Sequence, residues 1–113
     1  MRHRARLRKS ICGIVTAIKS GNDYHGEEAI RLLGISIKDF ILYMEKQFKP
    51  GMSWSNWGAY TLDQSQRTWH IDHKKALANF DLTDPKQRRK AAHYTNLQPL
   101  WADENLSKGA RAS

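Results

Sequence analysis

The chain has 113 residues, 40% of them hydrophobic and four of them tryptophan, which is enough for one domain with one core and too few for two. Nineteen Lys and Arg against eleven Asp and Glu give a formal charge of +8, a balance that favours polyanionic partners whose binding weakens as salt rises. The lone cysteine, Cys12, excludes an internal disulfide and a paired-cysteine zinc knuckle.

Leu7, Ile11, Ile14, Val15 and Ile18 recur at helical spacing and predict an amphipathic helix over about residues 4–19. Cys12 falls inside this pattern and is expected to be a half-buried thiol. Residues 1–20 carry Arg2, Arg4, Arg6, Arg8, Lys9 and Lys19 without an acid, so the polar face is strongly basic. No continuous apolar core follows this start, as a secretory signal would need. No stretch approaches the roughly 20 apolar residues of a bilayer span. The chain is therefore expected to stay in the cytoplasm of the cell that makes it.

Ser20-Gly21-Asn22-Asp23 carries turn chemistry and ends the first helix. A short helix is predicted from Glu27 to Leu33, with Gly34 suited to its left-handed C-terminal position. Ser36 with Asp39 predicts the cap of a third helix over about 37–48, whose buried stripe is Phe40, Ile41, Met44 and Phe48. The tryptophan-rich stretch 52–58 is expected to anchor the core, and 69–73 to form the first strand. Asp84, Pro85 and Gln87 stand as cap, first position and third position of a helix running to about His93. An extended segment over 95–100 and a last helix capped by Asp103 complete the order. A helical part, 1–50, thus precedes a ββα-type part, 66–113, within one domain of residues 1–113.

The chemistry concentrates in Trp69-His70-Ile71-Asp72-His73, with Asn96 and Asn105 downstream. Asp72 offers a hard oxygen to a divalent cation, and Asn105 offers a second, neutral one. His73 is a candidate base, since an imidazole titrates near about pH 6.5. In a regular strand Asp72 and His73 point to opposite faces, so both reach one centre only where the chain bends. Alternation puts His70 on the Asp72 side, as a further metal ligand or as an ordinary hydrogen-bonded histidine. Taken alone, an adjacent Asp-His pair leaves a purely structural role open.

With its flanks, the chain resembles the compact HNH endonucleases of phage and bacterial genomes. The segments that carry the resemblance are Leu32-Leu33-Gly34, Gln47-Phe48-Lys49-Pro50-Gly51-Met52-Ser53-Trp54, Trp69 to His73, Phe80-Asp81-Leu82-Thr83-Asp84-Pro85, His93 to Trp101 and Glu104 to Gly109. They cover roughly residues 32–109; the first 30 are similar only as a basic helix. The resemblance implies an α+β fold, a ββα-metal (HNH, or His-Me finger) core with an N-terminal helical extension. It implies Asp72 and Asn105 as metal ligands, His73 as general base, and Asn96 as the asparagine that braces the interstrand loop and orients His73. Asn105 stands where many relatives have histidine, an H-N-N variant that favours Mg²⁺, with Mn²⁺ next and Zn²⁺ or Ni²⁺ disfavoured.

The implied activity is hydrolysis of DNA, expected to be double-stranded, to 5′-phosphate and 3′-hydroxyl ends. Lys74, Lys75, Arg88, Arg89, Lys108, Arg4 and Arg8 are the expected contacts to the DNA backbone. The setting implied is a bacterial host or a phage-infected cell, with packaging or mobility proteins as further partners. Two alternatives stand beside this: a non-catalytic nucleic-acid-binding module on the same fold, and a structural or assembly protein whose Asp-His pair is incidental.

Overall fold

In the computed structural model the described residues are 2–24, 26–60, 62, 63, 65, 67–105 and 107. They form an α+β structure of helices around one two-stranded antiparallel sheet. The helices are α1 (Arg2–Ser20), α2 (Glu27–Leu33), α3 (Ile37–Glu45) and α4 (Pro85–Ala92), and the strands are β1 (Trp69–His73) and β2 (Leu97–Trp101). Residues 102–105 are again helical. None of the helices among the described residues is long and apolar enough to cross a membrane.

Local chemistry sets most boundaries. Gly34 ends α2 with φ 78°, and its N–H donates to the Ile30 carbonyl. Ser36 Oγ accepts the Asp39 N–H at 3.1 Å and starts α3. That helix stops at Glu45, short of the expected 48, because Gln47 and Phe48 close tighter turns onto the carbonyls of Met44 and Glu45. Asp84 Oδ1 accepts the Lys86 N–H and starts α4, but Gln87 reaches back past the cap to the Asp81 N–H at 2.7 Å. Residues Trp54–Asn56 and Tyr94–Asn96 form single 3₁₀ turns where an irregular connection and an extended chain were expected. The last helix begins at 102, so Asp103 lies in its first turn and not at its cap. There Asp103 takes a two-point hydrogen bond from Arg67, at 3.0 Å each.

Gly34 also touches the second half of the chain. A Cβ there would lie 2.7 Å from the His93 ring, which Thr95 Oγ1 holds at 2.7 Å from Nδ1. Gly34→Ala is therefore expected to destabilise the protein by more than the ~1–2 kcal/mol of a left-handed non-glycine residue. A shift of the urea midpoint too small for that cost would show that the His93 ring yields freely.

The main core joins α1 (Ile11, Ile14, Val15), α2 and α3 (Leu33, Phe40, Met44) to the sheet (Trp69, Leu97, Trp101). A second, smaller core packs Leu7 of α1 and Leu32 of α2 against Leu77, Leu82, Ala91 and Ala92. The helical part thus supplies side chains to both cores, and neither part buries its apolar surface alone. In the sheet, Lys74 N–H donates to Asn96 O and Ala102 N–H to Thr68 O, each at 2.8 Å. Those two bonds phase the ladder, making Asp72↔Gln98 and His70↔Leu100 hydrogen-bonded pairs. Pro99, opposite Ile71, then falls at a non-bonded pair, where its missing N–H costs nothing.

Candidate functional site

A cleft of about 620 Å³ runs along β1 and is lined by His70, Ile71, Asp72 and His73 in succession. Four consecutive strand residues reach one cleft because it follows the edge of β1 that β2 leaves open. Trp57 and Gly58 flank that edge, with Gly58 N–H donating to Trp69 O at 3.1 Å. Asp72 and His73 both line the cleft, and the chain bends directly after them, at 74 and 75. Asn105 lines the same cleft, as do Arg8, Ile11 and Cys12 of α1. Cys12 is exposed there, not half-buried as expected.

Asp72 is 6% exposed, the buried charged residue of the described part of the chain. Its Oδ2 accepts a hydrogen bond from Gln98 Nε2 at 2.8 Å, the partner directly across the ladder. His70 Nδ1 lies 3.2 Å from Asn105 Nδ2, and burial holds its pKa below the ordinary 6.5. Its Nε2 is buried with no hydrogen-bond partner among the described residues. If the Asn105 amide donates to Nδ1, Nε2 carries the proton and lacks an acceptor. If the amide turns over and accepts from Nδ1, Nε2 presents a bare lone pair.

Because the native fold resists protonating His70, the folded state takes up its proton at lower pH than the unfolded chain. Stability is then flat above the ordinary histidine pKa and falls as the pH drops below it, through the depressed value. Urea midpoints at about pH 7.5 and about pH 5.5 should differ more for the wild type than for His70→Gln, which cannot titrate. Equal slopes would mean that His70 does not carry the acid sensitivity.

Asn96 sits beside the site and not in it. Its Oδ1 accepts the Lys75 N–H at 2.8 Å, and its Nδ2 donates to the carbonyls of Lys75 at 3.2 Å and Ala91 at 3.1 Å. One amide therefore ties the end of β1 to α4 and to the start of β2. Asn96→Ala leaves those backbone groups unmet at a cost of about 1–3 kcal/mol. Thermal melting checks this, and Asn96→Asp, whose carboxylate would face the Lys75 and Ala91 carbonyls, should be no more stable than Asn96→Ala.

The predicted backbone contacts are dispersed. Lys74 Nζ lies 3.4 Å from the Tyr43 hydroxyl, and Lys75 Nζ stands over the Phe80 ring at 4.6 Å; neither lines the cleft. Arg4 is exposed on α1, and Arg88 and Arg89 lie on α4, half-buried and exposed. Lys108 lies outside the described residues. Arg8 alone of these enters the cleft wall. The sequence signal for it was present in the Leu7-to-Ile18 stripe, since Arg8 borders the buried face, but nothing local showed what that face would meet.

Among the described residues no group of three or more His, Cys, Asp or Glu is placed to hold a metal ion. The candidate donors that line the cleft are Asp72, Asn105 and His70, whose Nε2 is buried without a hydrogen-bond partner among the described residues. That sparse, mixed oxygen-and-nitrogen set fits a divalent ion that keeps much of its shell as water.

The fold and cleft define a small α+β protein with an Asp-His pair at the open edge of a two-stranded sheet. Over 81 residues, 72% of this chain, the sequence is 35% identical to an uncharacterized protein of Acanthamoeba polyphaga mimivirus, of which the match covers 32%. A second uncharacterized protein of the same virus is 29% identical over 87 residues, 77% of this chain and 35% of the relative. The chain spans about a third of the length of these curated relatives. No protein-family model and no solved structure matches it.

Proposed function

We propose that this chain is a metal-dependent DNA endonuclease on a ββα-metal core of the HNH type, with β1, β2 and the helix from residue 102 as that core. The observation that carries the reading is that Asp72, His73 and Asn105 line one cleft, with Asn96 bracing the exit of β1. Asp72 and Asn105 are the oxygen donors to the ion, and His70 Nε2 is a third donor. Bound there, a Mg²⁺-class ion supplies Lewis-acid neutralisation of charge on phosphoryl oxygens. His73 accepts the proton of the attacking water. Gln98 Nε2 donates to Asp72 Oδ2 and orients the carboxylate. Asn96 acts as a positioning residue by fixing the backbone immediately after His73.

The partner is DNA, held through its backbone by the arginines and lysines of α1 and α4. In the two viral relatives the similar stretch covers about a third of a longer chain.

Mn²⁺ titrated into the protein is expected to bind at a single site that Asp72→Ala removes. Supercoiled plasmid should be cut with Mg²⁺ or Mn²⁺ and not with EDTA. Salt-sensitive binding without cleavage under either metal would transfer the reading to a nucleic-acid-binding module.

A further inference from the structure

The cleft is bounded on its far side by α1, and that helix is secured at both ends. Near its C-terminus Lys19 Nζ donates to the Trp57 carbonyl at 3.0 Å, and near its N-terminus Leu7 is buried with Leu77 and Leu82. The stretch between them, Arg8 to Cys12, faces β1 across the cleft. A space of about 620 Å³ between two fixed walls is the size that takes a small molecule or one or two nucleotides. A duplex, whose major groove alone is about 12 Å wide, needs an open platform.

The wall chemistry points the same way. Ile11, Ala59, Ile71, Ala76 and Leu77 make much of the lining apolar, and Arg8 is the cation among the described lining residues. The outside of a duplex offers sugar and phosphate, which call for several cations. An unpaired nucleotide offers a base and a sugar face that apolar walls shelter, with one phosphate to neutralise.

Resting on the nuclease reading, we propose that the scissile strand enters the cleft unpaired. Its base lies against the apolar wall, and its phosphate lies between Arg8 and the Asp72–His73 pair. Arg8 thereby parts from Arg4, which stays outside the cleft as a general backbone contact. The double-stranded substrate expected from the sequence is narrowed to DNA that is single-stranded or locally opened.

The test uses one oligodeoxynucleotide as a single strand, as a full duplex, and as a duplex with an unpaired centre. Cleavage is measured with Mg²⁺, and binding separately in EDTA by fluorescence anisotropy, for the wild type, Arg8→Ala and Ala59→Trp. Ala59 is exposed at the cleft wall, so an indole there fills the cleft without entering the core. The single strand and the opened duplex should be cut at least about tenfold faster than the full duplex, and both variants should bind the single strand about tenfold more weakly. A full duplex cut as fast as the single strand, with binding unchanged in Ala59→Trp, overturns the inference and leaves the nuclease reading standing. Single-strand binding lost in both variants, with no cleavage by the wild type under any metal, upholds the cleft assignment and overturns the nuclease reading.

Discussion

Replacing His73 with alanine is expected to lower the cleavage rate by about 10²–10⁴-fold, the range associated with a positioned general base. DNA affinity should change little, because the proton transfer assigned to His73 is made in the transition state and not in the bound ground state. His73 is partly buried at the end of β1, opposite Leu97, and lies outside both cores. A melting temperature kept by the variant separates loss of chemistry from unfolding. Single-turnover rates and KM, measured beside a thermal melt, check the distinction. A variant that cuts as fast as the wild type removes His73 from the reaction, and one that loses affinity in step with rate makes it a binding group.

The largest effect on stability is expected at Trp69. Its side chain is fully buried, meets the Phe48 and Trp54 rings edge-on at centroid distances of 5.1 and 5.5 Å, and donates from Nε1 to the Ser53 carbonyl at 2.6 Å. Trp69→Ala removes that packing, at about 3–5 kcal/mol, and leaves the carbonyl without its donor. Against a total stability of roughly 5–15 kcal/mol, this is a large share. Trp69 also opens the strand that carries His70, Asp72 and His73, so cleavage should fall together with the melting temperature. Trp69→Phe keeps one aromatic ring but loses the hydrogen bond and part of the indole's volume, and should recover part of both. A variant that melts like the wild type would mean that the surrounding aromatics close over the gap.

What the sequence disclosed follows the range of the interactions involved. Helix starts and stops rest on contacts a few residues apart, and Ser36, Gly34 and Asp84 marked them correctly. The strand 69–73 was legible from its apolar and aromatic content, and its bounds are those observed. The end of α3 was not, because Phe48 fits the helical stripe but is drawn into a turn beneath Trp54 and Trp69. Gln87 has the composition of a capping box, yet the fold offers the Asp81 N–H as its acceptor's partner.

The site divides in the same way. Asp72, His73, Asn96 and Asn105 stood out by order and spacing; Asp72, His73 and Asn105 line one cleft, while Asn96 bonds to the backbone just beyond β1. The pairing of Asp72 with Gln98 depends on strand register, which spacing alone does not fix. The far wall depends on how α1 lies across the sheet, a contact between residues some 60 positions apart in the chain. Local patterns carry no trace of it, and so the basic helix looked like a peripheral extension when it in fact closes the cleft.

Asp72 and His73 are proposed to form one metal-dependent cleavage centre. Conversion of supercoiled plasmid in Mg²⁺, followed side by side for the wild type, Asp72→Ala and His73→Ala, tests it most directly. Relaxed or linear product is expected from the wild type and almost none from either variant, with EDTA abolishing the difference. Equal conversion by all three proteins would contradict it.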